Sequence, residues 1–108
     1  MHLITIATMN CHGQTKLDTP KQLYIQNFLS THKIDILLCQ ETKIEENTFN
    51  QCNFLNGNYT VIKNNTNNAY GTSVLVHNNL QINEIKFDTA GRLIIFNVDN
   101  ITIVNAYP

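Results

Sequence analysis

Two apolar segments of the chain end in polar residues whose oxygen atoms could bind a hard cation. The run 34–39 is almost entirely apolar and is followed by Gln40 and Glu41, and the earlier run 3–9 is followed by Asn10. A short apolar run that ends in polar residues is typical of a buried strand whose tip opens into a cleft, and sites in layered α/β folds collect at such tips. Carboxylate and amide oxygens suit Mg²⁺ or Mn²⁺. The pattern therefore predicts a metal site that contains Glu41 and Asn10.

Each of these residues also has a purely structural interpretation. A glutamate at a strand end is usually solvated, and an asparagine shortly before Gly13 is ordinary turn chemistry. The position of both residues at the ends of apolar strands, with a helix-length connection between them, favours the metal site over two unrelated surface residues.

Length and composition describe one ordinary globular domain. The chain has 108 residues, of which 43% are hydrophobic and 14% charged. No apolar stretch approaches the length of a membrane span, so we expect neither a disordered nor a membrane protein. The N-terminus lacks a basic region and a small-residue cleavage site, so no secretory signal peptide is expected.

The cysteines and the charges limit the classes of function. Three cysteines without a Cys-x-x-Cys spacing argue against a disulfide framework or a zinc knuckle. Free thiols suit a reducing compartment, so we expect an intracellular protein, nuclear or cytoplasmic. The net charge is −1 and Arg92 is the only arginine, which counts mildly against nucleic-acid binding because a basic patch is its usual footprint.

Apolar periodicity and turn residues predict a strand, a helix and a second strand, followed by several short strands. Pro20 fits the first turn of the helix, which has an apolar side that includes Leu23, and Asp99-Asn100 reads as a two-residue hairpin turn. An apolar strand at the very end of the chain predicts that the natural polypeptide continues. The predicted strands are 3–9, 34–39, 59–63, 72–77, 81–87, 92–98 and 101–107, with a helix at 20–32 and a short helical or irregular segment at 44–54.

Four segments together resemble the endonuclease/exonuclease/phosphatase superfamily. Their order and spacing match across essentially the whole chain, and the Gln-Glu-Thr that follows an apolar strand is quite specific. The ending Ala-Tyr-Pro is similar to the abasic-site-endonuclease branch, and within it to the endonuclease domains of non-LTR retrotransposons. The matching segments are 8–13, 35–43, 91–95 and 103–108.

This resemblance implies a fold and a set of roles. The fold would be an α/β (α+β) four-layered sandwich of two β-sheets flanked by helices, with residues 1–108 as its N-terminal half. Glu41 would bind the divalent cation, Mg²⁺ or Mn²⁺, and Asn10 would help to hold it or orient the phosphate. Tyr107 would reach the scissile phosphate, and Arg92 and Tyr70 would contact the DNA backbone. The activity would be metal-dependent nicking of target DNA, by a protein fused to or encoded with a reverse transcriptase.

The weaker assignments keep structural alternatives. Arg92 follows a glycine turn and is equally consistent with a structural arginine. Tyr70 is as readily explained as an aromatic residue that packs in the core or against a loop.

Two departures from the family pattern affect the functional interpretation. His12 stands where abasic-site repair enzymes usually carry aspartate, and a neutral imidazole is a poor substitute for a carboxylate at a magnesium site. Retrotransposon relatives vary at that position, so the change favours them over a repair enzyme. The water-activating Asp and His residues of the family's second half do not occur within these 108 residues. The chain by itself is therefore expected to be catalytically incomplete.

Three other interpretations stay open at this point. A phosphatase of the inositol-polyphosphate type would share Asn10 and Glu41, but would carry histidine at the position of Tyr107. A non-catalytic remnant of a mobile element would keep the pattern without the activity. An unrelated α/β binding domain would have to match the ordered motifs by accident.

Overall fold

The computed structural model describes residues 3–10, 19–40, 58–64 and 71–107, with residues 19–22 described by their backbone alone. The predicted strands and helix in these ranges are present, with small shifts at their ends; the predicted segment 44–54 lies outside the described residues. Strand β1 begins at Ile6, later than the predicted residue 3. The elements are β1 Ile6–Asn10, α1 Thr19–Thr31, β2 Ile36–Gln40, β3 Tyr59–Asn64, β4 Thr72–His77, β5 Ile82–Phe87, β6 Leu93–Val98 and β7 Ile101–Ala106.

The described strands form two sheets. The first has the order β1-β2-β4-β3 and the second the order β5-β6-β7. Strands β1 and β2 are parallel, and the other neighbouring pairs are antiparallel. A parallel pair needs a crossover connection of a dozen residues or more, and helix α1 lies in the connection between β1 and β2.

Side chains alternate between the two faces of the first sheet, and each face supports its own core. On one face Ile25 and Leu29 of α1 pack against Leu37 and Leu75, whereas Leu23 of the predicted apolar side is 54% exposed. The other face packs against the second sheet and buries side chains from both. The main members of this inter-sheet core are Ile36, Val74, Val76, Ile94, Phe96, Val98 and Ile103.

These contacts give three layers in the described part of the chain: helix, four-stranded sheet and three-stranded sheet. The α/β sandwich expected from the sequence is thereby confirmed. No helix in the described ranges is long and apolar enough to cross a membrane.

The turn between α1 and β2 fixes the direction in which β2 leaves the helix. Lys33 has φ 51°, Ile34 N–H donates to Leu29 O at 3.0 Å, and Lys33 N–H donates to Ser30 O at 3.4 Å. This is the Schellman pattern, in which a residue with left-handed backbone ends a helix and the residue after it packs back on the last turn. Ile34 and Leu29 are both buried in the same core cluster, which completes the motif.

The start of β1 is tied to the start of β2. Thr5 N–H donates to Asp35 Oδ2 at 2.8 Å, and Thr5 O accepts from the N–H groups of Asp35 and Ile36 at 2.9 and 3.1 Å. The two parallel strands therefore begin in register, and the register continues to their far ends, where Asn10 pairs with Gln40.

Candidate functional site at the strand tips

One end of the two sheets carries a row of polar residues. In the register of the first sheet Asn10 pairs with Gln40, Gln40 with Thr72, and Thr72 with Asn64, so the four residues cross the sheet at a single level. We call these four residues, together with Asn105 of β7, the polar rim. The buried polar side chains of the described residues all lie in this rim or directly beside it: Asn64, Thr72, Ser73 and Asn105.

Asn105 connects the second sheet to the first at this end. It follows Ile103 on the inward face of β7 and is 1% exposed. Its Nδ2 donates to the main-chain oxygens of Cys39 and Ser73, at 3.0 and 2.9 Å, and its Oδ1 accepts from Gln40 Nε2 at 2.8 Å. Because a buried amide is costly unless its hydrogen bonds are made, these contacts explain how the core tolerates it.

Gln40 holds the tip of β2. Besides its bond to Asn105, its Nε2 donates to Thr8 Oγ1 of β1 at 2.9 Å and lies 3.2 Å from Leu38 O. The side chain therefore joins the first two strands and the second sheet. Glu41, the predicted metal ligand, is the next residue in the sequence.

A turn at residues 88–92 is fastened to the same end by Asp88 and Asn64. Asp88 Oδ1 accepts from Asn64 Nδ2 at 2.9 Å and from the N–H groups of Arg92 and Leu93, each at 3.1 Å. Asn64 Nδ2 also donates to Leu93 O at 2.8 Å. Desolvation acts to raise the pKa of Asp88, but the bonds from Arg92 N–H, Asn64 and Leu93 N–H outweigh it, so that the pKa lies below its ordinary value.

The same turn contacts β4 and the residue that follows β7. Gly91 is buried with φ 75°, a conformation that glycine adopts without steric cost, and its oxygen lies 3.4 Å from Thr72 Oγ1. Tyr107 N–H donates to Arg92 O at 2.8 Å. Arg92 and Tyr107 thus lie together, both half-buried, at the end of the second sheet.

The structure places three of the predicted site residues at this end of the sandwich. Asn10 is exposed at the tip of β1, and Arg92 and Tyr107 adjoin each other at the tip of the second sheet. Glu41 and Tyr70 lie outside the described residues. In the sequence Glu41 adjoins Gln40, and Tyr70 precedes Gly71, which is buried at the start of β4.

The rim supplies oxygen atoms of the kind that hard cations prefer as ligands. Within the described ranges no group of three or more His, Cys, Asp or Glu residues could hold a metal. The rim supplies amide and hydroxyl oxygens, and Cys39, one residue before Gln40, is buried. Neutral oxygens with one carboxylate fit Mg²⁺ or Mn²⁺, and Glu41 is the residue expected to supply that carboxylate.

Residues missed by the sequence analysis hold the rim together. Asn105 could have been found, because it is the polar residue in the inward-facing series of β7, after Ile103. The link between Asn64 and Asp88 has no comparable signal, since it joins residues 24 apart, one at the end of β3 and the other in the turn after β5.

A cavity of about 330 Å³ lies at the end of the first sheet opposite the polar rim. It is lined by Leu29, Lys33, Asp35, Tyr59, His77 and their neighbours. Its polar groups have structural partners. Tyr59 donates to Ile34 O, Asp35 accepts from Thr5 N–H, and His77 Nδ1 accepts from Asn79 N–H at 3.2 Å. Burial, followed by the nearby Asp35 charge, raises the pKa of Tyr59. These groups stabilise the end of the first sheet that lies opposite the polar rim.

Comparison with known proteins finds similar structures but no similar sequences. Neither a protein-family model nor a curated protein matches the chain. An AP endonuclease from Archaeoglobus fulgidus superposes with a TM-score of 0.77 at 24% identity, covering 97% of this chain and 41% of that one. The 3′ phosphatase NExo from Neisseria, bound to a product DNA hairpin, gives a TM-score of 0.74 at 18% identity, with 97% and 41% covered. An AP endonuclease from Leishmania major gives 0.71 at 16% identity, with 96% and 40% covered.

The chain thus spans about two fifths of the length of these structures, while almost all of it is matched. Because the sequence identities are this low, the superpositions establish the fold alone. They do so over the whole sandwich that carries the polar rim. The fold expected from the sequence resemblance is confirmed: the chain has the fold of these AP endonuclease and NExo structures.

Proposed function

We propose that this chain is part of a divalent-metal-dependent DNA endonuclease that hydrolyses phosphodiester bonds. The observation that supports the proposal is that Asn10 of the polar rim, together with Arg92 and Tyr107 beside the rim, lies at one end of an AP-endonuclease-like sandwich. A finer assignment rests on the motifs around Gln40 and Tyr107. In this assignment the chain is part of a non-LTR retrotransposon protein that is encoded with a reverse transcriptase, acts in the nucleus or cytoplasm and nicks target DNA.

In this proposal the chain holds the cation and the phosphate and does not itself activate water. Glu41 and Asn10 would bind Mg²⁺ or Mn²⁺, which when bound stabilises charge on the phosphate and the leaving oxygen. The Tyr107 hydroxyl would donate a hydrogen bond to the phosphate. Arg92 and Tyr70 would contact neighbouring backbone phosphates, Arg92 by its fixed fork of N–H groups.

The test is a plasmid-nicking assay on the natural gene product that contains these 108 residues. We expect conversion of supercoiled to open-circular DNA with Mg²⁺ or Mn²⁺ and none with EDTA. Glu41→Gln should lower the rate by at least about 10²-fold, the loss typical when one preorganised electrostatic contact is removed. Tyr107→Phe should lower it less. Glu84→Gln is the matched control, because Glu84 is an exposed carboxylate of β5 in the second sheet.

Two results would contradict the proposal. One is metal-dependent nicking that survives Glu41→Gln, and the other is the absence of any metal-dependent nicking. A second substrate, a duplex with a 3′ phosphate, tests the alternative suggested by the likeness to NExo. Release of phosphate without internal nicking would assign the chain to a 3′-end-processing phosphatase instead.

Metal binding can be tested separately on the 108-residue chain. Mn²⁺ should broaden the NMR signals of the side-chain amides of Asn10 and Gln40, which lie at the tips of β1 and β2. The amide of Asn97, on the second sheet and bonded to Glu84 and Thr102, serves as the control signal. Glu41→Gln should reverse the selective broadening.

A further inference from the structure

We propose that Asn105 is a positioning residue that sets the tip of β2, and with it Glu41, relative to Tyr107; the proposal rests on the function proposed above. Asn105 lies two residues before Tyr107 in the sequence, and its side chain bonds to Gln40, which lies one residue before Glu41. Asn105 therefore links the chain segment that carries Glu41, the proposed metal ligand, to the segment that carries Tyr107, the proposed phosphate ligand.

The hydrogen bonds of Asn105 leave its amide little freedom to move. Both N–H groups are used, one by Cys39 O and one by Ser73 O, and the oxygen accepts from Gln40. Cys39 and Ser73 are direct cross-strand partners in β2 and β4, immediately before the polar rim. One buried side chain of the second sheet thus fixes two neighbouring strands of the first sheet at their last level before the site.

A purely packing role would not require this chemistry. Ile94, the cross-strand neighbour of Asn105 in β6, is fully buried and apolar, and the inward-facing Phe96, Val98 and Ile103 of the second sheet are buried and apolar as well. An apolar side chain would fill the same space without the cost of burying an amide. The amide, however, makes directional hydrogen bonds that hold the strand tip in one position. An apolar contact would specify that position poorly.

Catalytic sites tolerate only small displacements of their reactive groups. A reactive group must be held within roughly 0.5 Å of its productive position, and a displacement of about 1 Å can cost about 10²-fold in rate. Residues behind metal ligands typically change affinity or activity by about 10–100-fold when mutated. Asn105 should therefore affect the rate without contacting substrate.

The test compares Asn105→Leu with Ile103→Ala in the natural gene product. Asn105→Leu keeps the number and branching of the side-chain heavy atoms and removes every hydrogen bond, whereas Ile103→Ala opens a cavity in the same strand without touching the tip of β2. At temperatures where both variants are fully folded by circular dichroism, Asn105→Leu should lower kcat for nicking by about 10–100-fold with little change in KM. Ile103→Ala should keep the wild-type kcat.

A partner variant tests whether the contact acts as one unit. Gln40→Leu should lower kcat in the same way, and the double variant with Asn105→Leu should lose little more than either alone, because both changes break one connection. Multiplicative losses in the double variant would overturn the proposed link. A kcat for Asn105→Leu within about twofold of wild type, or an equal loss in Ile103→Ala, would overturn it as well.

A readout without activity separates this inference from the proposed function. In the natural gene product the Gln40 side-chain amide should exchange slowly with solvent, and Asn105→Leu should make it exchange at least about tenfold faster, whereas Ile103→Ala should not. If wild-type nicking proves independent of Glu41, the proposed function fails and this exchange measurement alone decides the positioning role. Unchanged exchange in Asn105→Leu would overturn it.

Discussion

Ser73 offers the sharpest test of the buried polar residues at the strand tips, because removal of its hydroxyl should stabilise the protein. The side chain is 1% exposed, and its Oγ has no hydrogen-bond partner among the described residues. An unsatisfied buried hydroxyl costs about 1–3 kcal/mol. Ser73→Ala removes that cost and leaves a void smaller than one water molecule, which at about 24 cal/mol per Å³ costs roughly 0.5 kcal/mol. The net expectation is a gain of about 1 kcal/mol.

The neighbouring residue provides a matched control of opposite sign. Thr72 is fully buried on the other face of β4, and its Oγ1 lies 3.4 Å from Gly91 O. Thr72→Val also removes one hydroxyl, but it breaks that contact and should cost about 0.5–1 kcal/mol, the lower part of the range for a long hydrogen bond. The two variants therefore differ by roughly 1.5–2 kcal/mol in predicted free energy of unfolding.

Equilibrium unfolding in urea, followed by circular dichroism at pH 7, measures both changes. With an m-value of about 2 kcal/mol/M, Ser73→Ala should raise the midpoint by about 0.5 M and Thr72→Val should lower it by less. A destabilisation of more than about 0.5 kcal/mol by Ser73→Ala would refute the reasoning, because it would mean that the hydroxyl makes a favourable contact.

Three further predictions concern other parts of the fold. Lys33→Gly should stabilise the protein by about 0.5–1 kcal/mol in urea unfolding, because the residue has φ 51° and glycine avoids the side-chain clash there; a loss of stability would contradict this. Phe96→Ala should cost about 3–5 kcal/mol, because the ring is fully buried between the sheets, and a cost below about 1 kcal/mol would argue against close packing of the sheets. Folding lowers the pKa of Asp88 from its ordinary value of 3.8, so its stabilising effect is complete above that value and is lost as the pH falls through the folded-state pKa. Wild type should therefore lose stability relative to Asp88→Asn when unfolding is measured from pH 5 down to pH 2, and parallel curves would contradict the assignment.

The sequence alone determined the elements and the fold class. Alternation of apolar residues and turn chemistry located the strands and α1, because these patterns arise from each segment's own periodicity. The end of Ile36–Gln40 was visible for the same reason: an apolar run that turns polar at Gln40 and Glu41 marks a strand tip.

Only the tertiary structure decided which segments meet. Periodicity tells which face of a strand is buried, but not which strand lies against it, so the order β1-β2-β4-β3 could not be obtained from any local pattern. The contacts of Asn105 join residues 65 and 66 apart in sequence, to Gln40 and to Cys39. Such contacts form because the second sheet packs on the first and a buried amide must find partners wherever the packing places it. The polar rim is therefore a product of long-range packing. The sequence showed Asn10 and Gln40 at two strand tips, but it showed neither the other members of the rim nor the contacts between them.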